Sequence, residues 1–290
     1  MRSFTFALGL IALAGCDSSE IGPQPLDPQA DGKTAVFLTD APFPTDAITR
    51  VDVHVREIAL SEAGDSTDGD LGWVVVASPD RTFNLLDLQN GSTALLGEAE
   101  VPPGQYRAVR LVFDPARSMM TEEDGGTIGT ASGPGAPGID WQAKGATPNL
   151  FALVEEAMAI DENGEDIVID FDVGRSFLYD GNGVFTFIPH LRAITRSGSG
   201  AVRGTLTHAV GGGPIADGFI SVHIAADSGG ALGPLLATTR SGADGKFTAS
   251  FLRPGRYQVV AEDLARDAVS SAVGVEVKAR ETADVGEMRF

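Results

Sequence analysis

The sequence predicts an all-β protein built as two tandem antiparallel β-sandwich domains, residues 33–196 and 201–290, joined by a Gly/Ser linker at 197–200. Three observations carry this. Short runs of β-branched and aromatic residues recur between Gly, Pro, Asn and Asp turn signals, the spacing of a sandwich. One run, Val51-Asp52-Val53-His54-Val55-Arg56, alternates strictly, which directs Val51, Val53 and Val55 to a core and Asp52, His54 and Arg56 to water. The break at Ser197-Gly198-Ser199-Gly200 also coincides with a change of charge: positions 201–290 hold 9 basic and 10 acidic residues, whereas positions 1–200 hold 12 and 30.

Taken in order, the chain begins with Met1-Arg2 and an apolar run over 3–13, the layout of a signal peptide and too short to span a bilayer, which takes about 20 apolar residues. The run ends in Leu13-Ala14-Gly15-Cys16, which resembles the bacterial lipobox residue for residue. That resemblance implies removal of 1–15, a diacylglycerol on the Cys16 sulfur and an acyl chain on its new amine. Two or more chains make a durable anchor, at about 0.8 kcal/mol per buried CH₂. The expected location is the bacterial cell envelope. Asp17 resembles an inner-membrane retention signal of enteric bacteria, a code other phyla do not follow, so both leaflets stay open. Residues 17–32, with Pro23, Pro25 and Pro28 and little apolar content, read as a disordered stalk.

Strands are expected at 35–39, 51–58, 73–77, 106–113, 167–173 and 184–188. Residues 150–160 show helical spacing, but Asp161-Glu162-Asn163-Gly164 follows and leads into Ile167-Val168-Ile169. An Asn-Gly turn between apolar runs is a hairpin signal, so strand is predicted there. After the linker, seven more runs are expected, at 202–207, 219–225, 235–239, 246–251, 257–261, 272–277 and 282–290, the content of an immunoglobulin-like or transthyretin-like sandwich. A phrase recurs in both halves: Pro103-Gly104-Gln105-Tyr106 and Pro254-Gly255-Arg256-Tyr257. It predicts two structural corners, each Tyr ring packed across the sandwich with its hydroxyl on the backbone.

Composition excludes several chemistries. The 290 residues carry 40 acidic against 21 basic side chains, net −19, the wrong sign for a nucleic-acid partner. The single cysteine forms neither an internal disulfide nor a thiolate cluster. No Gly-x-Ser-x-Gly elbow occurs, and the histidines at 54, 190, 208 and 223 show no i,i+2 or i,i+4 pairing that would suggest zinc. Ser241-Gly242-Ala243-Asp244-Gly245-Lys246 has the wrong spacing for a phosphate loop and reads as an Asp-Gly hairpin. Calcium is the one cofactor with candidate ligands: Asp65, Asp68 and Asp70 in a Gly/Ser loop, and Asp161, Asn163, Glu165 and Asp166 around a turn. Neither set completes an EF-hand, and solvated turns explain both. Asp170 and Asp172, at i,i+2 on one strand face and so about 6–7 Å apart, have the separation of a glycosidase pair. On a solvent face they read more simply as solubility or edge protection. Trp73 and Trp141 are either sugar-stacking platforms or core.

Two resemblances add to this reading. Val36-Phe37-Leu38-Thr39-Asp40-Ala41-Pro42, the 51–58 run, Leu85-Leu86-Asp87-Leu88-Gln89-Asn90-Gly91, Val101-Pro102-Pro103-Gly104-Gln105-Tyr106, and Ile169-Asp170-Phe171-Asp172 with Ser176 and Pro189 resemble, in that order, a bacterial lipoprotein family known only as domain of unknown function 4382. The match runs from about 34 to 195 and brings no assigned activity. Val202-Arg203-Gly204-Thr205-Leu206, Ala243-Asp244-Gly245-Lys246-Phe247 and Leu252-Arg253-Pro254-Gly255-Arg256-Tyr257-Gln258-Val259 resemble a carboxypeptidase regulatory-like domain, which implies a non-catalytic seven-strand sandwich with starch-binding relatives. The expected function is a lipid-anchored, non-catalytic binding or structural module. Its partners are the membrane through Cys16 and an envelope protein or glycan. The alternatives are a carbohydrate-binding envelope protein and a calcium-stabilised adhesin-like module.

Overall fold

The computed structural model describes residues 33–41, 47–63, 72–133, 135–141, 149–226, 232–263 and 265–290. The chain is nearly all β, and its helical content among these residues is one four-residue α-turn, Val173–Ser176, with two short 3₁₀ turns. No helix of the described residues is long and apolar enough to cross a membrane.

Two hydrophobic cores form, one from residues between Val36 and Ala193, the other between Val202 and Met288. In the first, a four-stranded sheet runs in the order Leu191–Thr195, Ile167–Asp172, Thr34–Ala41, Ala94–Ala99. Its central pair is parallel, with Val36 beside Ile167 and Ala41 beside Asp172, while both outer pairings are antiparallel. Every residue of Ile167–Asp172 is buried, as expected of an interior strand covered on both faces.

A second sheet is organised around the 14-residue strand Ile48–Ser61, which pairs with Trp73–Ala77, Arg81–Asn84, Ala108–Phe113 and Met119–Glu122. The register against Ala108–Phe113 slips between Val55 and Glu57. The extra residue of this bulge switches the inward phase, so that Val51, Val53 and Val55 point to the core before it and Ile58 and Leu60 after it. The expected alternation therefore holds for the valines. It fails at His54, which is buried: Thr82 Oγ1 lies 2.8 Å from its Nδ1 and Asp80 Oδ1 3.1 Å from its Nε2, both supplied by the chain that folds back alongside.

Strands form on both sides of Asp161-Glu162-Asn163-Gly164, but not as a hairpin. Met158–Ile160 pairs with Gly104–Tyr106, whereas Ile167–Asp172 joins the other sheet. The turn itself is as its residues dictate, with Asp161 Oδ1 accepting the Asn163 N–H at 2.7 Å and Gly164 at φ +78°. A Cβ on Gly164 would lie 2.2 Å from the Lys33 carbonyl, so the turn hands the chain from one sheet to the other against the start of Thr34–Ala41.

The C-terminal unit places Lys246–Leu252, Gly200–Thr207 and Thr282–Arg289 in one sheet and Leu232–Arg240, Phe219–Ala225, Gly255–Asp263, Ala268–Val269 and Val273–Val277 in the other. All seven expected runs fall on strands, and Ala268–Val269 is an addition. The Gly/Ser link is pinned rather than loose. Glu165 Oε1 accepts the Ser197 N–H at 3.2 Å, Thr195 Oγ1 accepts the Gly198 N–H at 3.1 Å, and the Ser199 carbonyl accepts the Arg280 N–H at 2.6 Å.

Both tyrosine corners form as expected. Tyr106 and Tyr257 are buried, and each donates its hydroxyl at 2.8 Å to the carbonyl four residues upstream, on Pro102 and Arg253. Tyr106→Phe and Tyr257→Phe are each expected to lower stability by about 1 kcal/mol, the net worth of one such bond, measured by urea unfolding.

Candidate functional site: a cleft between the two β units

The parallel pairing brings three carboxylates together at one end of the sheet. Along neighbouring strands Thr39 lies beside Asp170, Asp40 beside Phe171 and Ala41 beside Asp172. Because side chains alternate across a strand, Asp170 and Asp172 share one face and Phe171 takes the other with the core. Both carboxylates were expected on a solvent face, yet each residue is only 8% exposed. The strand is interior to its sheet, and that face abuts the C-terminal unit.

Each carboxylate has a structural task. Asp170 Oδ2 accepts a bond from Arg192 Nε at 2.7 Å and forms an ion pair with Nη2 at 2.7 Å, and Arg192 Nη1 donates to the Phe251 carbonyl at 3.0 Å. All three guanidinium nitrogens are therefore engaged, and the ion pair of one unit is tied to the backbone of the other. Phe251 has φ +57°, a conformation bulky residues avoid. It lies in a bulge where Lys246–Leu252 carries an extra residue against Gly200–Thr207, and the bulge turns its carbonyl toward Arg192.

Asp172 caps the short helical turn, its Oδ1 accepting the Arg175 N–H at 2.9 Å. Burial pushes its pKa up to about 6; the cap opposes the rise and the Asp170 charge adds to it. Asp40 Oδ1 accepts the Val173 N–H at 3.1 Å, while its buried Oδ2 has no hydrogen-bond partner among the described residues. Burial raises the Asp40 pKa well above the usual carboxylate range, and the charges of Asp170 and Asp172 push the same way.

Next to this group a cleft of about 600 Å³ opens between the units. The DUF4382 side contributes Arg107, Phe151, Leu153, Asp172, Arg175, His190 and Arg192, with Leu153 on the ladder beside Arg192, and the C-terminal unit contributes Ile224, Leu235 and Leu236. Burial and the Arg175 charge hold the His190 pKa below its usual value, which keeps the ring neutral. A second contact between units comes from the Asn90-Gly91 turn, both residues at positive φ. Asn90 Oδ1 accepts the Thr239 hydroxyl at 2.7 Å and the Arg240 N–H at 3.4 Å. A Cβ on Gly91 would lie 2.5 Å from Ser250 Oγ.

The other candidate residues lie elsewhere. Cys16, Asp65, Asp68 and Asp70 are outside the described residues. Asp161, Asn163, Glu165 and Asp166 do not converge: Asp161 bonds Asn163, Glu165 holds Ser197, and Asp166 lies 3.7 Å from Arg196. Among the described residues no three His, Cys, Asp or Glu side chains form a group that could hold a metal ion. Trp141 is core, within 5.1–5.7 Å of the Phe113, Phe177 and Phe187 rings, and Trp73 lies under the Arg110 guanidinium at 4.6 Å. Arg192 and Asn90 bore no sequence signal for joining the two units, since each reaches a residue of the C-terminal unit more than 50 positions away.

A family model described as "Domain of unknown function (DUF4382)" matches residues 31–189. The chain belongs to this family. The DUF4382 region thus contains Asp40, Asn90, Gly91, Asp170 and Asp172, and Arg192 follows just beyond it. No curated protein matches the chain. Solved structures similar to parts of it include the shaft pilin SpaA from Lactobacillus rhamnosus GG, 11% identical over 89% of this chain and 96% of that one, with a TM-score of 0.24. The Bacillus anthracis TIE protein is 11% identical over 89% of this chain and 34% of its own, at a TM-score of 0.27. The dioxygenase domain of a carbohydrate-binding fusion from Streptomyces sp. SirexAA-E is 15% identical over 32% and 79%, at 0.23.

Arg192→Ala strands a buried carboxylate and is expected to cost about 3 kcal/mol in urea unfolding, whereas replacing both Asp170 and Arg192 by Leu restores most of the loss. The raised carboxyls also set a pH dependence. A folded pKa above the unfolded one means that the native state holds its proton over the intervening range, so stability is greatest below about pH 4 for this group and is lost as pH rises through about 6. The melting temperature of the DUF4382 unit is therefore expected to fall between pH 5 and pH 7, and Asp172→Asn, which keeps the cap, is expected to flatten that slope.

Proposed function

We propose that this DUF4382 protein is a lipid-anchored component of the bacterial cell envelope, and that its two β units form a non-catalytic binding module around the cleft between them. The observation that carries the reading is the use of the cleft's carboxylates. Within the cleft Asp170 is consumed by Arg192, Asp172 by the helical turn and Glu155 by Arg253, so the acidic groups hold the fold in place. Large apolar side chains stay accessible in the cleft from both units, with Leu153 60% and Ile224 42% exposed. Rigid polar groups set among accessible apolar ones suit the holding of a ligand.

Anchoring rests on Leu13-Ala14-Gly15-Cys16 and on the proline-bearing segment that separates Cys16 from the first strand. The C-terminal unit is assigned to the carboxypeptidase regulatory-like type on its Val202-Arg203-Gly204-Thr205-Leu206 and Pro254-Gly255-Arg256-Tyr257 phrases, with a part in shaping the cleft and none in chemistry.

Metabolic labelling with radioactive palmitate in a bacterial host is expected to label the chain and place it in the membrane fraction. Cys16→Ser is expected to abolish both; label retained by that variant would sink the anchoring. Turnover of an envelope polymer by the purified protein would overturn the non-catalytic reading.

A further inference from the structure

We propose that the open end of the DUF4382 sandwich binds a small organic cation with an apolar body, the body held between the Tyr179–Phe185 ring pair and Ile48 and Ile128, and the cationic end at Glu122. The site lies within one unit and is separate from the cleft between the two.

Strand registers place its walls. Gly138–Asp140, Val184–Phe187 and Phe177–Tyr179 form a small sheet in which Ile139 pairs with Phe185, Phe185 with Tyr179 and Phe187 with Phe177. Paired residues, and residues two apart on a strand, share a face, so these five side chains lie on one face. That face looks onto the sheet of Ile48–Ser61: the Phe113 ring of that sheet lies 5.7 Å from Phe187 and 5.2 Å from Trp141 between centroids. Across the gap Met120 pairs with Val51 and with Ile128, and Glu122 pairs with Ile48. Ile48, Val51 and Met120 are core residues, and Glu122, two beyond Met120, shares their inward side.

The two inner faces meet at Phe113, Trp141 and Phe187 and part at the other end, leaving a cavity of about 750 Å³ lined by Ile48, Glu122, Ile128, Phe177, Tyr179 and Phe185. Exposure follows the parting. Phe177 and Phe187 are buried, whereas Tyr179, on the same face and two residues from Phe177, is 58% exposed. Its ring centroid is 4.7 Å from that of Phe185, so the phenol is backed on one side and accessible on the rest. The volume falls in the range of small-molecule sites.

Charge selects the ligand. Among the residues that line the cavity Glu122 alone carries a charged side chain, and its carboxylate has no hydrogen bond or ion pair among the described residues. An anion finds no cationic partner there and meets the field of residues 1–200, which hold 12 basic against 30 acidic side chains. A cation gains from that field, from Glu122 and from the electron-rich face of Tyr179, while its apolar body takes the place of water between Phe185 and Ile128.

The test uses the full chain carrying Cys16→Ser in detergent-free buffer, titrated calorimetrically with three probes of one shape: 4-phenylbutylammonium, 4-phenylbutanol and 4-phenylbutanoate. The ammonium is expected to bind at least tenfold more tightly than the carboxylate, with the alcohol between them. Glu122→Gln, at an exposed position, is expected to bring the ammonium down to the alcohol and to leave the alcohol unchanged. Tyr179→Ser is expected to weaken the ammonium at least threefold at an unchanged melting temperature; should it not fold, Tyr179→Leu is expected to weaken it about threefold. Leu153→Ser, in the cleft between the units, is expected to change none of the three. Equal binding of ammonium and carboxylate, ammonium binding unaffected by Glu122→Gln or lost in Leu153→Ser, or no ammonium binding up to millimolar concentration would each overturn the proposal. So would a dimer that Tyr179→Ser returns to monomer, which assigns the cavity to a second copy of the chain.

Discussion

The parallel pairing of Thr34–Ala41 with Ile167–Asp172 is the constraint on which the site depends. Parallel neighbours cannot be joined by a tight turn, and here the crossover between them is more than a hundred residues long and holds most of the second sheet. Two strands running the same way end at the same edge, so their last residues arrive together. That geometry assembles Asp40, Asp170 and Asp172, and the helical turn that follows is capped by Asp172 and by Asp40 from the neighbouring strand. An antiparallel arrangement of the same two strands would put Asp40 and Asp172 at opposite ends of the sheet.

Burying charge at that edge is costly unless it is matched, which explains the form of the junction between units. Arg192 sits directly across from Asp170 in the antiparallel register and converts an unpaired interior carboxylate into a pair with every guanidinium nitrogen engaged. A buried pair of this kind contributes little net stability relative to an apolar pair of similar size. What it adds here is geometry: the third nitrogen needs an acceptor, and the acceptor is the Phe251 carbonyl of the other unit, turned outward by a bulge. Asn90 performs the same service at the other contact, its side-chain oxygen standing in for a backbone acceptor to Thr239 and Arg240. The DUF4382 unit thus meets its neighbour through directional bonds, which fix an orientation and leave a shaped gap beside them.

Local features were legible in the sequence and long-range ones were not. The strict alternation of Val51, Val53 and Val55, the paired Pro-Gly-x-Tyr corners and the seven runs after position 200 all follow from nearest-neighbour rules, and the structure bears each of them out. Short strands such as Arg81–Asn84, Thr127–Ile128 and Phe177–Tyr179 lack any alternation and exist because a longer neighbour offers them a ladder. The hairpin at Asn163-Gly164 failed for the same reason: the turn chemistry was right, but the partner of each flanking strand lay elsewhere in the chain. Burial of His54, Asp170 and Asp172 is likewise a tertiary effect. A period-two pattern marks which side chains share a face and is silent on whether that face meets water, a second sheet or another unit.

The charge asymmetry gains a physical meaning from this arrangement. Residues 1–200 carry almost all of the net −19, so the far field of the DUF4382 unit repels anions and attracts cations. At physiological salt that field decays over about 8 Å, while a guanidinium in contact with its partner is screened far less inside a partly dry cleft. The two ranges therefore act separately: the far field sets what approaches the DUF4382 unit, while short-range pairing sets what the cleft presents. The cleft is lined by both units, so the orientation set by Asp170, Arg192 and Phe251 also sets its shape.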